Sequence, residues 1–127
     1  MTISWIDGVW TGVGFQITGT HCSVWKIKFT ANEGENEYFI EYPTLGSSGV
    51  WKLLEKESAA ERYTFEESIL IQNGNTMNGG KVVVTKVSDN YMSFSFFMPP
   101  FCEAVIACST LKRKPTVQQL NMETIWH

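Results

Sequence analysis

Apolar and polar residues alternate with a period of two along most of the chain, which is the pattern of half-buried β-strands. Before the last dozen residues, no stretch of useful length shows the 3.6-residue period of an amphipathic helix. The domain is therefore expected to be all-β. The alternation predicts eight strands, at about residues 8–17, 22–30, 36–43, 49–56, 61–71, 80–87, 91–98 and 103–113.

The connections between these segments carry residues that favour tight turns. Asn, Asp and Gly tolerate positive backbone angles, and proline cannot donate to a β-ladder. Such short connections predict that the strands follow one another in an antiparallel, up-and-down order. Turn residues of this kind occur at Thr18-Gly19-Thr20, residues 32–36, Asn73-Gly74-Asn75, Asn78-Gly79-Gly80, Ser88-Asp89-Asn90 and Pro99-Pro100.

The first predicted strand reads GVWTGVGFQ, with Trp10 two residues after Gly8. A tryptophan at this spacing on a glycine-dotted strand is typical of small closed barrels of the calycin or lipocalin type. Eight strands also suffice to close a small barrel. We therefore expect an eight-stranded antiparallel up-and-down barrel over residues 1–113.

A different pattern follows the last strand. Lys114-Pro115-Thr116 ends the alternation, and a modest apolar set comes after it. Residues 114–127 are expected to form a tail, either a short helix or an extended arm, that packs on the barrel or on a second subunit. A homodimer is therefore one expectation. The apolar residues of the tail are Val117, Leu120, Met122, Ile125 and Trp126.

Composition and charge narrow the class of protein. The 127 residues are 43% hydrophobic and 13% aromatic, which suits one globular domain with a sizeable core. The net charge is −3 and basic residues are scattered, so nucleic-acid binding is not expected. No apolar run approaches the roughly 18 residues of a membrane span, so no membrane insertion is expected. The N-terminus lacks the basic and apolar regions of a signal peptide.

The chain has three cysteines, Cys22, Cys102 and Cys108, so at least one thiol has no partner for a disulfide. Their positions match no spacing of metal ligands. A reducing cytoplasm is the expected location. No phosphate-binding loop or other cofactor motif is present, so neither a metal nor a cofactor is expected.

The ends of the predicted barrel suggest one structural pair. If the last strand lies beside the first, Arg113 comes close to Trp10. A guanidinium stacked on an indole would close the floor of the barrel. Trp10 and Arg113 are therefore expected to be structural residues that close the barrel.

The fifth strand places a carboxyl in an apolar row. Tyr63, Phe65, Glu67 and Ile69 share one face of this strand. A buried carboxyl must be protonated, paired with a cation, used in proton transfer or used to bind a polar group of a ligand. Alternatively, a β-bulge shifts the register and lets Glu67 reach solvent.

Aromatic residues on several strands could converge in one lumen, although such rings more often fill a core. The first hypothesis is a non-enzymatic module that binds a small, partly apolar ligand. Its candidate ligand-binding residues are Gln16, Trp25, Tyr42, Trp51, Phe65 and Glu67.

Two other functions stay open at this point. The first is a protein-interaction or assembly domain with a solid core, because Phe39, Val50 and Leu54 fall on faces that a barrel leaves outside. The second is an isomerase or cyclase that uses Glu67 as a general acid or base. No catalytic residue is assigned, because nucleophile elbows and paired carboxylates on one face are absent from the sequence.

The segment YPTLGSSGVWKLLE, residues 42–55, resembles a family of small bacterial domains with a motif close to YPSLGCGGxWxL. Members of that family occur alone or attached to signalling proteins such as Ser/Thr kinases, and their biochemical role is unassigned. The resemblance extends over most of the chain. It is carried further by GVWTGVGFQ, RYTFEESI, NGGKVVVTKV and STLKR.

The resemblance also has consequences for cysteine. The family pattern places one Cys where this chain has Ser47 and a second near Thr76, and both are missing here. No disulfide is therefore expected at these positions. Tyr42, Pro43, Gly46 and Gly49 are retained, so the turn is expected to position Trp51.

Overall fold

The computed structural model describes residues 4–18, 21–71, 79–98 and 105–115, and these residues form a closed antiparallel barrel. Each strand pairs with the next one along the chain, and the last pairs with the first. The all-β class, the eight strands and their up-and-down order are thus confirmed. The strands are β1 (Gly8–Thr18), β2 (His21–Asn32), β3 (Glu37–Tyr42), β4 (Ser47–Glu57), β5 (Arg62–Ile71), β6 (Lys81–Ser88), β7 (Tyr91–Phe97) and β8 (Ala107–Arg113).

The strand bounds differ most from the prediction at β8. In the described part this strand begins at Ala107, so residues 105 and 106 of the predicted strand 103–113 do not belong to it, and residues 103 and 104 lie outside the described part. Just before it, the Ile106 N–H donates to the Phe96 carbonyl at 2.9 Å and brings the chain back to the barrel. The predicted tail falls on residues 114–127, of which only Lys114 and Pro115 are described.

Helical structure is slight in the described ranges. Two 3-10 turns, Glu33–Glu35 and Pro43–Leu45, connect strands on opposite ends of the barrel. No helix in these ranges has the length and apolar character needed to cross a membrane.

Two irregularities lie in the pairing of β4 with β5 and change which side chains face inward. The register with β5 shifts between Ser48 and Gly49 and again between Leu53 and Glu55. The first shift skips Leu70 of β5. The second leaves Leu54 of β4 as an extra, exposed residue and pairs Glu55 with Thr64, which alternates with the inward-facing Tyr63 and Phe65. Glu55 therefore does not share the inner face with Trp51, because the bulge reverses the alternation after Leu53.

Aromatic rings fill the middle of the barrel. The Trp51 ring lies 4.4 Å from Phe29, 5.2 Å from Phe65 and 5.9 Å from Phe94, measured between ring centroids. These side chains are buried almost completely, together with aliphatic residues from six strands. The core is therefore a packed layer of rings at half height.

The two ends of the barrel are built differently. We call the end where β1 begins and β8 ends the capped end, because Trp5 and Ile6 pack on the core there. We call the other end the glycine end, because three glycines of its inner wall, Gly14, Gly49 and Gly80, are buried. The connections 19–20, 72–78 and 99–104 at the glycine end lie outside the described residues.

Candidate ligand site at the glycine end

Glu67 lies inside the barrel. The extra residues of the two register shifts are Leu54 and Leu70, so β5 keeps its alternation from Tyr63 to Ile69, and Tyr63, Phe65, Glu67 and Ile69 all face inward. Only 2% of the Glu67 surface is exposed. The alternative in which a bulge turns Glu67 toward solvent is therefore wrong, because the extra residue of β5 is Leu70, which comes after Glu67.

Two donors from neighbouring strands hold the carboxyl. The Tyr42 hydroxyl donates to Glu67 Oε1, and the Trp51 indole N–H donates to the same oxygen at 2.9 Å. Trp51 is the direct cross-strand partner of Glu67, whereas Tyr42 reaches over from β3. The three side chains thus form one buried polar cluster beside the aromatic core.

The cluster changes the acidity of its members. Burial raises the pKa of Glu67 above its ordinary value, and the hydrogen bonds from Tyr42 and Trp51 act in the opposite direction without cancelling the rise. Burial and the nearby Glu67 together raise the pKa of the Tyr42 hydroxyl well above its ordinary value. Tyr42 is therefore a fixed donor, while Glu67 is the member that can change charge.

The turn between β3 and β4 positions this cluster. Pro43 starts the 3-10 turn, and Gly46 ends it with a backbone φ of 66°, which favours glycine. The chain then returns so that Ser47 pairs with Tyr42. Outside the turn, the Lys26 N–H donates to Thr44 Oγ1 at 2.9 Å, which ties the turn to β2. The segment that resembles the bacterial family is thus the segment that positions Tyr42.

Glycines on the inner wall make room for two rings at this end. A Cβ at Gly14 would lie 2.7 Å from the Trp25 ring, and a Cβ at Gly80 would lie 2.1 Å from the Phe96 ring. The space left by these glycines is therefore occupied by neighbouring side chains. The Glu67 N–H donates to the Gly80 carbonyl at 2.8 Å, so Phe96 packs on the residue that is bonded to the Glu67 backbone.

The structure groups only some of the predicted ligand-binding residues. It brings Tyr42, Trp51 and Glu67 into contact, and Phe65 stacks against Trp51 as part of the buried core. Gln16 and Trp25 lie on β1 and β2, and β1 is four strands from β5, the largest separation in a ring of eight. Gln16 and Trp25 therefore lie on the wall of the barrel opposite Glu67.

The capped end contains the other predicted pair. The Arg113 guanidinium carbon lies 4.2 Å from the centroid of the Trp10 ring, and the two residues are cross-strand partners. Arg113 also donates to the backbone carbonyls of Trp5, Asp7 and Asp89. The side chain therefore fastens the segment before β1 to the barrel.

A second polar cluster at the capped end was not apparent from the sequence. Glu33 accepts hydrogen bonds from Tyr63 and Lys56, each at 2.6 Å, and its backbone N–H donates to Asp7. Burial raises the pKa of Glu33, but hydrogen bonds led by the one from Lys56 lower it more, and the net pKa falls. The bulge at Leu54 makes this cluster possible, because it returns Lys56 to the inner face beside Tyr63.

At the glycine end, sequence reasoning missed Gly80 and Phe96. Gly80 was interpreted as a turn residue, and Phe96 lies in a run of aromatic residues whose facing is ambiguous. The signal that could have found them is the pairing of β6 with β7, which places Phe96 opposite Val82, just after the glycine pair.

Within the described ranges, no group of three or more His, Cys, Asp or Glu side chains is arranged to hold a metal ion. Comparison with models of known protein families gives no match for this chain, and comparison with curated proteins gives none either. The likeness of residues 42–55 to the bacterial family stays a prediction.

Proposed function

We propose that the protein is a non-enzymatic binding module that holds a small, partly apolar ligand in the glycine-end half of the barrel. The observation that carries this proposal is the buried Glu67 carboxyl, held by Tyr42 and Trp51 where the packed core gives way to partly exposed rings. Ligand sites combine apolar walls with a few fixed polar groups. Trp25 and Phe96 supply apolar surface, and Gln16 and Glu67 orient the ligand.

The packed core limits where the ligand lies. Phe29, Phe65 and Phe94 surround Trp51 at half height, so the ligand does not extend toward the capped end. Transfer of its apolar part from water contributes about 25 cal/mol per Å² of buried surface. A cytoplasmic location is part of the proposal, and it is supported by the free, exposed thiols of Cys22 and Cys108.

Native mass spectrometry of the freshly purified protein, followed by denaturing mass analysis, tests this function. We expect a mass excess that disappears on denaturation and that is reduced in a Glu67→Gln variant. Glu66→Gln is the matched control, because Glu66 is the exposed neighbour of Glu67 on the outer face. A monomer without added mass that also fails to bind any amphiphile in titration contradicts the proposal.

One observation favours a second candidate, an assembly domain that forms a homodimer through its outer face. Phe39 is 45% exposed and Leu54 is 52% exposed, and Val50 lies directly across from Phe39. Exposed apolar residues at the centre of a patch are typical of protein interfaces. A dimer without added mass in the same experiment, disrupted by Phe39→Ser, supports this candidate over the first.

A further inference from the structure

The charge of Glu67 has no counterpart among the described residues. The ion pairs of the described chain use Glu33, Glu41, Glu57, Glu61 and Asp89, and none of them involves Glu67. The donors to Glu67, Tyr42 and Trp51, are both neutral. A carboxylate buried without a cation is costly, so this position favours any partner that brings a positive charge.

The basic side chains that reach toward the inside are bonded elsewhere. Lys56 and Arg113, which reach toward the inside, bind Glu33 and backbone carbonyls at the capped end. Lys81, at the start of β6, is in register with Glu66 and shares its outer face. The inner face of the glycine-end half therefore carries a carboxyl and aromatic rings, and none of the ion pairs of the described residues joins a lysine or arginine to that carboxyl.

The surroundings of Glu67 suit one class of ion. Aromatic faces attract cations through the ring quadrupole, and this attraction is stronger where water is excluded. Trp51 donates to the carboxyl, and the partly buried rings of Trp25 and Phe96 lie at the same end of the barrel. A metal ion would need several oxygen ligands, whereas an organic cation is satisfied by one carboxylate and ring faces.

We propose that the ligand is an organic ammonium ion, a protonated amine attached to a small apolar body. This inference rests on the proposed function and specifies its ligand class. The ammonium group pairs with the Glu67 carboxylate, and the apolar body lies toward the glycine end against Phe96 and Trp25. An anionic ligand is repelled by Glu67, and a neutral one leaves the buried charge uncompensated.

Three probes with the same aromatic body and different head groups test the inference: phenethylamine, phenethyl alcohol and phenylpropionate. Each is titrated at pH 7.5 into ¹⁵N-labelled protein, and the Trp51 indole N–H signal is followed, because that N–H donates to Glu67. A Trp51→Phe variant assigns the signal. We expect phenethylamine to shift it and to bind at least tenfold more tightly than the alcohol or the acid.

Two variants separate ion pairing from general apolar binding. Glu67→Gln keeps an acceptor for Tyr42 and Trp51 but removes the charge, so amine binding should fall at least tenfold while the fold persists, as checked by near-UV circular dichroism. Glu66→Gln should bind like the unaltered protein. Amine binding that is unchanged in Glu67→Gln overturns the inference.

The remaining outcomes distinguish the inference of an ammonium ligand from the proposed ligand-binding function. Tighter binding of the alcohol or the acid than of the amine overturns the ammonium class but leaves a ligand-binding barrel. Lack of binding by all three probes, together with a retained non-basic molecule in native mass spectrometry, does the same. Lack of binding by all three with no retained mass overturns both proposals.

Discussion

The two ends of the barrel are made from the same eight strands but are held by different interactions. At the capped end, charged side chains form hydrogen bonds: Arg113 donates to three backbone carbonyls, and Glu33 accepts from Tyr63 and Lys56. At the glycine end, the one buried carboxyl that is described is held by neutral donors. Large apolar side chains are exposed near that end, including Phe15, Val24, Leu45, Leu70, Ile71 and Val105.

This difference indicates that the two ends of the barrel have different roles. Polar bonds to backbone carbonyls fix a chain segment in one place, so the capped end acts as a closure. Rings that lie over glycines, such as Phe96 on Gly80, are held by contact alone and can shift when another apolar group enters. We therefore expect stability to depend mainly on the capped end and binding on the glycine end.

The largest expected effect concerns the two tryptophans that mark the ends. Trp10 is fully buried and donates its indole N–H to the Ile6 carbonyl at 2.8 Å, whereas Trp25 is only partly buried. Trp10→Ala should lower the free energy of unfolding by about 3 to 5 kcal/mol, as is usual for a buried Trp. Trp25→Ala should cost less than half of that. Urea unfolding of both variants measures the difference, and equal losses would contradict the comparison.

The next effect tests the closure itself. Arg113→Met keeps an apolar stem over Trp10 but leaves the carbonyls of Trp5 and Asp7 without their donor. We expect a loss of about 2 to 3 kcal/mol, because these bonds involve a charged donor. Amide hydrogen exchange should increase at residues 5–7 and stay unchanged at β3 and β4. Lys112→Met, at the exposed neighbour, is the control and should change neither quantity.

A smaller effect is expected at the glycine end. In Gly80→Ala the new methyl group meets the Phe96 ring at 2.1 Å, so the ring must move, at a cost of about 1 to 3 kcal/mol. Gly34→Ala is a matched control, since its nearest neighbour is at 3.6 Å. The Phe96 ring signals in a nuclear magnetic resonance spectrum report the movement. An unchanged melting temperature for Gly80→Ala would mean that Phe96 is not packed there.

The smallest effect is a dependence on pH. Burial raises the pKa of Glu67 in the folded protein above that in the unfolded chain, so the folded state holds the proton over a wider range. The contribution of this group is therefore fully present below about pH 4.5 and is lost as the pH rises through the folded pKa. Tyr42 is the titratable group bonded to Glu67, and it stays protonated throughout this range.

Glu67→Gln removes this dependence and keeps the acceptor. Relative to the unaltered protein, the variant should gain stability as the pH rises above 4.5, as measured by thermal unfolding at a series of pH values. Glu66→Gln should follow the unaltered protein at every pH. A constant difference between Glu67→Gln and the unaltered protein would show that Glu67 does not titrate in this window.

Much of the fold could be predicted because the strand period and the turn residues are local signals. The alternation of Tyr63, Phe65, Glu67 and Ile69 is visible in the sequence and persists in the barrel. The two register shifts between β4 and β5 carry no comparable signal, since Leu54 follows the equally apolar Leu53 and Leu70 stands between two isoleucines. The position of Lys56 opposite Tyr63 therefore escaped prediction.

The candidate site was only partly predictable for a related reason. A carboxyl in an apolar row identifies Glu67 as unusual, but its donors come from β3 and β4, and only the barrel geometry selects Tyr42 and Trp51. Phe65 shares the same inner face and yet belongs to the core, because depth along the barrel axis is not encoded in the alternation. Sequence patterns thus predict which face of a strand a residue lies on more readily than how deep it lies along the barrel axis.

The seam between β1 and β8 has a consequence for folding kinetics. Every other strand pair joins neighbours in the sequence and can form as a hairpin, but the Arg113 bond to Asp7 joins residues 106 positions apart. Closing so long a loop carries a large entropy cost and slows folding. The paired residues of this seam also fall into two separate groups, with Ser109 Oγ donating to the Val13 carbonyl between them. We therefore expect the barrel to close last, and to open first, along this line.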